Sequence, residues 1–226
     1  MTNTKVLNRY LWILLAGAAA SGCNQANSPG DKDAASAVEL QYSDMHMPVE
    51  NFARWAVSEE NNFVKTKEMN EISYQLSFTP KELLAYNEVK SRQFTKEELD
   101  EAVKHYEGMS YFNLRMVLSG GSGELLKYKL ASAQQYNARI NYLSFEMQKD
   151  ICLVQGKDTV YPGLYHFERI FSIAPHATVT LAYDNAKFDP AKEFTIVYND
   201  RLFNKGYLKY HFGTNQLIDL PNISGV

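Results

Sequence analysis

His166 and Glu168 stand two residues apart in Leu164-Tyr165-His166-Phe167-Glu168, a stretch of strand-forming composition. A strand repeats every two residues, so both side chains share one face, which suits two ligands of a single metal ion. A stable site takes a third and usually a fourth ligand, and His211, two residues after Lys209 on a late apolar stretch, is the candidate to supply one. The polar face of an ordinary antiparallel strand gives the same pattern with no metal at all. Cys152 would be a nucleophile only beside a histidine and an orienting partner. On an extended segment it shares parity with Glu146, Gln148 and Asp150, whose charges raise a thiol pKa, so it reads as inert. Gly120-Gly121-Ser122-Gly123-Glu124-Leu125-Leu126-Lys127 could cradle phosphate with backbone amides, but it lacks the Gly-Lys-Ser/Thr ending and reads as a glycine-rich turn. Asp44, His46, His105 and His176 fall where solvent is expected. No catalytic set is complete, and no cofactor motif is present in the sequence, so the residues favour a protein that is not an enzyme.

The elements that must position these groups divide near residue 142. Before it, Pro48 opens a helix whose buried stripe is Val49, Phe52, Ala53, Ala56 and Val57, with Trp55 flanking it as a partly exposed aromatic. Ile72, Tyr74, Leu76 and Phe78 alternate with polar residues as a half-buried strand. Thr79-Pro80-Lys81-Glu82 predicts a capping box and a helix to about Ser91, and Thr95-Lys96-Glu97-Glu98 predicts a second capped helix ending at Gly108. Phe112, Leu114, Met116 and Leu118 form the next strand, and Ser132 with Gln135 caps a helix carrying Ala133, Tyr136 and Ile140. Beyond residue 142 the predicted strands cover 143–154, 160–171, 177–184, 193–199 and 206–212. The expectation is an α+β fold: N-terminal helices with antiparallel strands, then a C-terminal antiparallel sheet or sandwich. With 15 Tyr and 12 Phe, residues such as Phe112, Tyr165, Phe167, Phe171, Phe194 and Phe212 fill its core.

The amino terminus carries a different kind of signal. Lys5 and Arg9 precede an apolar run from Tyr10 to Ala20, then Ala20-Ser21-Gly22-Cys23. This resembles a bacterial lipoprotein signal with Cys23 as the acylated residue. The run is shorter than the roughly 20 apolar residues that span a bilayer, and fits a cleaved leader over residues 1–22. Residues 23–41, which contain Asn-Gln-Ala-Asn-Ser-Pro-Gly-Asp-Lys-Asp and no aromatic residue, read as a flexible tether from acylated Cys23 to a folded body at 42–226. Loss of Lys5 and Arg9 from the 23 cations leaves 21 against 26 acids, a net charge of −5. Such a chain is unsuited to nucleic acid, whose phosphates demand clustered Lys and Arg. Cys152 is then the one remaining thiol, so no internal disulfide is available.

Asp158-Thr159-Val160 resembles the short O-glycosylation site of Bacteroides and its relatives, which makes Thr159 an acceptor candidate. Trp55-Ala-Val-Ser-Glu59-Glu-Asn61, Ile72 to Pro80, Tyr111-Phe-Asn-Leu-Arg115 and Asn141 to Asp150 together are similar to a group of Bacteroidota lipoproteins with no assigned activity. That resemblance implies export and lipid anchoring, with the outer membrane favoured by Asn24 after the cysteine. The function expected is a non-enzymatic interaction or accessory subunit of an outer-membrane or surface assembly, with membrane lipid and envelope proteins as partners. The alternative is an envelope hydrolase or metal-dependent enzyme with His166, Glu168 and His211 as its candidate residues, or a glycan-binding lipoprotein.

Overall fold

The computed structural model describes residues 41–58, 60–120, 123–168 and 175–225. Cys23, the expected leader and the expected tether up to residue 40 lie outside them. The described chain runs through β1 (His46–Pro48), α1 (Val49–Ala56), β2 (Val64–Met69), β3 (Ile72–Thr79), α2 (Lys81–Val89), α3 (Lys96–Lys104) and β4 (Met109–Leu118). It continues through α4 (Ala133–Asn141), β5 (Ile151–Gln155), β6 (Asp158–Val160), β7 (Leu164–Glu168), β8 (His176–Asp184), β9 (Phe194–Asp200), β10 (Gly206–Phe212) and β11 (Asn222–Gly225).

Alternating apolar residues build two antiparallel sheets, one of five strands in the order β2-β3-β4-β8-β7 and one of four in the order β10-β9-β5-β6. Their inner faces pack together. Ile72, Tyr74, Leu76, Phe112, Leu114, Met116, Val179 and Leu181 from the first sheet meet Ile151, Leu153, Phe194, Ile196, Tyr198, Tyr210 and Phe212 from the second, all essentially without exposure. Phe112 sits at the centre, its ring 5.5 Å from Phe78, 5.9 Å from Tyr183 and 5.4 Å from Phe212. Each such aromatic pair adds about 0.5–1.5 kcal/mol beyond the area it buries. The fold is therefore α+β, two packed antiparallel sheets with helices.

Residue 142 is not a boundary between bodies, because β8 and β7 from beyond it pair with β4 from before it in one sheet. Residues 40–226 form one unit. The helices add a smaller core in which Val49, Ala85, Val89, Leu99 and Ala102 pack together, and α1 spans both cores by sending Phe52 and Trp55 toward the sheets. A short parallel pair, β1 with β11, brings the two ends of the described chain together.

Several local expectations change. Trp55 is buried between Tyr42, Phe52 and Phe63, while Val57, just past the end of α1, is exposed. The Thr95 capping box forms as expected, with the Glu98 amide donating to Thr95 Oγ1 and the Thr95 amide to Glu98 Oε2. The one expected at Thr79 does not: Pro80 is the cap, and Thr79 stays in β3, where its hydroxyl accepts from Asn113 Nδ2. On α4 the buried side chain is Arg139, not Ala133. Residues 142–149 are a π turn followed by a 3-10 turn, and strand begins only at Ile151. Leu143 and Met147, four apart and both buried, follow helical spacing there.

Candidate functional site

The sequence-predicted ligands do not converge. His166 and Glu168 do share the outward face of β7, an edge strand of the five-stranded sheet, while Tyr165 and Phe167 pack against the core from its other face. His211 lies on the outward face of β10 in the other sheet, between buried Tyr210 and Phe212, and its Nε2 is 3.9 Å from Glu193 Oε2. Among the described residues no group of three His, Cys, Asp or Glu is placed to hold a metal ion. His176 opens β8, with Nδ1 3.4 Å from Arg115 Nη2. Its burial and the Arg115 charge hold its pKa below the ordinary histidine value, against the opposing charge of Glu168.

Cys152 is half-buried on β5, and burial pushes its thiol pKa up. The expected direction is right and the expected cause is not, because Glu146 and Gln148 sit in the helical turns and share no strand face with it. Of the glycine-rich segment, Gly121 and Ser122 lie outside the described residues. Lys127, its one cation, is 2.9 Å from Glu124 Oε2. Thr159 is exposed on β6, the edge strand that follows the Gly156-Lys157 turn. Gly156 takes a φ of +60 there, as a tight hairpin turn requires.

The groups that sequence periodicity passed over form the better site. Phe78, Thr79, Lys81, Glu82, Met109, Ser110, Asn185, Pro190, Leu217, Ile218 and Leu220 surround a cleft of about 290 Å³. Its first wall is the start of α2. Proline has no N–H to lose at a helix entry, and the Pro80 carbonyl accepts from the Leu83 and Leu84 amides, which turns Glu82 into the cleft. The second wall is the start of β4, reached through Gly108 at φ +77. There Ser110 Oγ donates to Asn185 Oδ1 at 2.8 Å, and the Asn185 amide donates to the Gly108 carbonyl.

The third wall is the loop carrying Leu217, Ile218 and Leu220. Asn215, with φ +60, accepts from the Ile218 and Asp219 amides through its carbonyl, and its own amide donates to Ala191. Asp219 then accepts from the Tyr42 and Ser43 amides at 3.1 and 2.8 Å. Burial opposes ionisation of Asp219, but the Ser43 and Tyr42 amides outweigh it and hold its pKa below the usual carboxylate range. The point where the chain enters the fold is thus fastened to a wall of the cleft.

Glu82 is the chemically open group in this arrangement. Its Oε2 is buried with no hydrogen-bond partner among the described residues. Burial pushes its pKa up, and its own backbone N–H and the Lys81 charge pull the other way without prevailing. Trp55 Nε1 and Tyr183 Oη are also buried without partners, but neither lines the cleft. In two other depressions charged side chains pair with one another or with a neighbour, Arg92 with Glu98 at 2.7 Å and Lys149 with Glu146 at 2.8 Å. A partly apolar cleft with one unsatisfied carboxyl is a binding geometry. No known protein family, no curated protein and no solved structure matches this chain.

Proposed function

We propose that this chain is an exported lipoprotein, held on the outer membrane or cell surface by acyl chains on Cys23, whose folded body acts by binding rather than by turnover. The observation that carries the proposal is the order of residues before the fold: a basic start at Lys5 and Arg9, a short apolar run, then Ala20-Ser21-Gly22-Cys23. Two or three acyl chains, at about 0.8 kcal/mol per buried methylene, make a durable anchor. The 17 residues from Asn24 to Leu40 separate that cysteine from the first described residue, Gln41. The binding role is supported by the cleft, whose wall at Leu217 to Leu220 is fastened through Asp219 to Tyr42 and Ser43. A partner engaged there meets the body beside its point of attachment.

Metabolic labelling with a fatty-acid analogue in the source cells tests the anchor. The wild-type chain takes the label and sediments with membranes, and Cys23→Ala does neither. Label retained by the variant, or never taken by the wild type, contradicts the proposal. Cross-linking in intact cells, read by mass spectrometry, tests the binding role, and an exclusively uncross-linked chain counts against it.

A further inference from the structure

The polar side chains around the cleft differ in what they still lack. Ser110 and Asn185 satisfy one another at 2.8 Å, Thr79 accepts from Asn113, and Lys81 Nζ is 3.6 Å from Glu107 Oε1 at the rim. Glu82 alone among these five keeps a buried oxygen without a partner. An ionised carboxylate only accepts, so the missing group is a donor. A neutral donor would satisfy the hydrogen bond and leave the buried charge uncompensated, whereas a cation satisfies both. Around that carboxyl, Phe78, Met109, Pro190, Leu217, Ile218 and Leu220 offer apolar surface. A volume of about 290 Å³ suits a ligand of a few heavy atoms, or one end of a larger one.

We propose that this cleft binds a primary ammonium carried on a short apolar stem, with the Glu82 carboxylate as its counter-ion and the loop Leu217 to Leu220 covering the stem. This rests on reading the body as a binding module and is independent of the lipid anchor. The terminal torsion of a glutamate is broad and two-fold, so either carboxylate oxygen can be turned to the ligand. Burial disfavours the charged carboxyl in the empty cleft, so a proton competes with the ammonium for the carboxylate as pH is lowered. Affinity accordingly falls as pH is lowered.

The test uses the full chain with labelled methyl groups, titrated with n-butylammonium and, as matched probes, n-butanol and butyrate. The expected result is a saturable shift of the Met109 and Ile218 methyls with butylammonium, at least about tenfold weaker with butanol, which corresponds to 1.4 kcal/mol. Glu82→Gln should weaken butylammonium by a similar factor and leave butanol unchanged. Ile218 is 51% exposed, so Ile218→Lys perturbs the mouth of the cleft without touching the core. It should also weaken butylammonium selectively. Equal binding of ammonium and alcohol, or butylammonium binding undiminished in both variants, overturns the proposal. Cross-linking of the intact protein reads the binding role separately. A captured partner with no ammonium effect removes the ligand class alone, and ammonium binding with no captured partner removes the interaction role and leaves the site.

Discussion

Asp200 is a carboxyl withdrawn from water and Glu82 is half-buried with one oxygen fully covered, and the protein treats the two in opposite ways. Asp200, 1% exposed at the end of β9, accepts from the Tyr74 and Tyr198 hydroxyls and from the Leu202, Phe203 and Lys205 amides. Tyr74 belongs to one sheet and Tyr198 to the other, so one carboxylate locks the sandwich and shapes the turn into β10. Burial, reinforced by the Asp200 charge, drives the pKa of both tyrosines upward, which keeps them as donors. Glu82 keeps one buried oxygen, Oε2, without a donor. A buried polar group left unsatisfied costs about 1–3 kcal/mol, and a fold that supplies five donors to one acid is able to supply one to another. A saturated carboxylate is structure, and an open one beside a cleft is a place for something else to bind.

The sharpest way to break the comparison is to empty the saturated site. Asp200→Ala strands two buried hydroxyls and three amides, and should cost more than about 3 kcal/mol in denaturant unfolding. A loss below 1 kcal/mol would mean that the lock is not where the sheets are held. Asp219 stands between the extremes, with two amide donors and partial exposure. Asp219→Ala should cost about 1–2 kcal/mol at neutral pH. Because its folded pKa is depressed, that contribution is present above the pKa of the unfolded chain and fades as pH falls through the folded value. Wild type and variant should therefore converge in stability in acid, and curves that stay parallel would deny Asp219 this role.

Glu82→Gln should have the smallest effect and the opposite sign. A carboxyl with a raised folded pKa contributes its stability below the unfolded value and loses it as pH rises through the folded one. The variant cannot ionise, so its Tm should gain on the wild type as pH rises and show no gain in acid. Identical pH dependence in the two chains would return Glu82 to the class of ordinary surface acids.

What the sequence made legible follows period and chemistry. β3 and β4 are readable because one face of each is apolar at every second position, and α3 because Thr95 and Glu98 carry both halves of a capping box. Thr79-Pro80-Lys81-Glu82 imitates that box. There the strand keeps Thr79 through Asn113, and the glutamate turns into the cleft instead of capping. Over residues 142–149 alternation and helical spacing overlap in a short aromatic run, and Leu143 and Met147 carry the helical signal.

The candidate site was scarcely legible. His166 and Glu168 were correctly placed on one face, but a third ligand depends on which strands become neighbours, and His211 joined the other sheet. Glu82, Asp200 and Arg139 stand out only once tertiary neighbours are known. Arg139 is withdrawn from water to donate to the Leu126 and Tyr128 carbonyls, a role no periodic pattern encodes.

The most direct measurement is a carboxyl-carbon NMR titration of Glu82 in the full chain, with and without n-butylammonium. Glu82 should titrate above the ordinary glutamate range in the free protein and move down when the ammonium is present. A Glu82 that titrates at its ordinary value and ignores the ammonium would contradict both the open carboxyl and the ligand assigned to it.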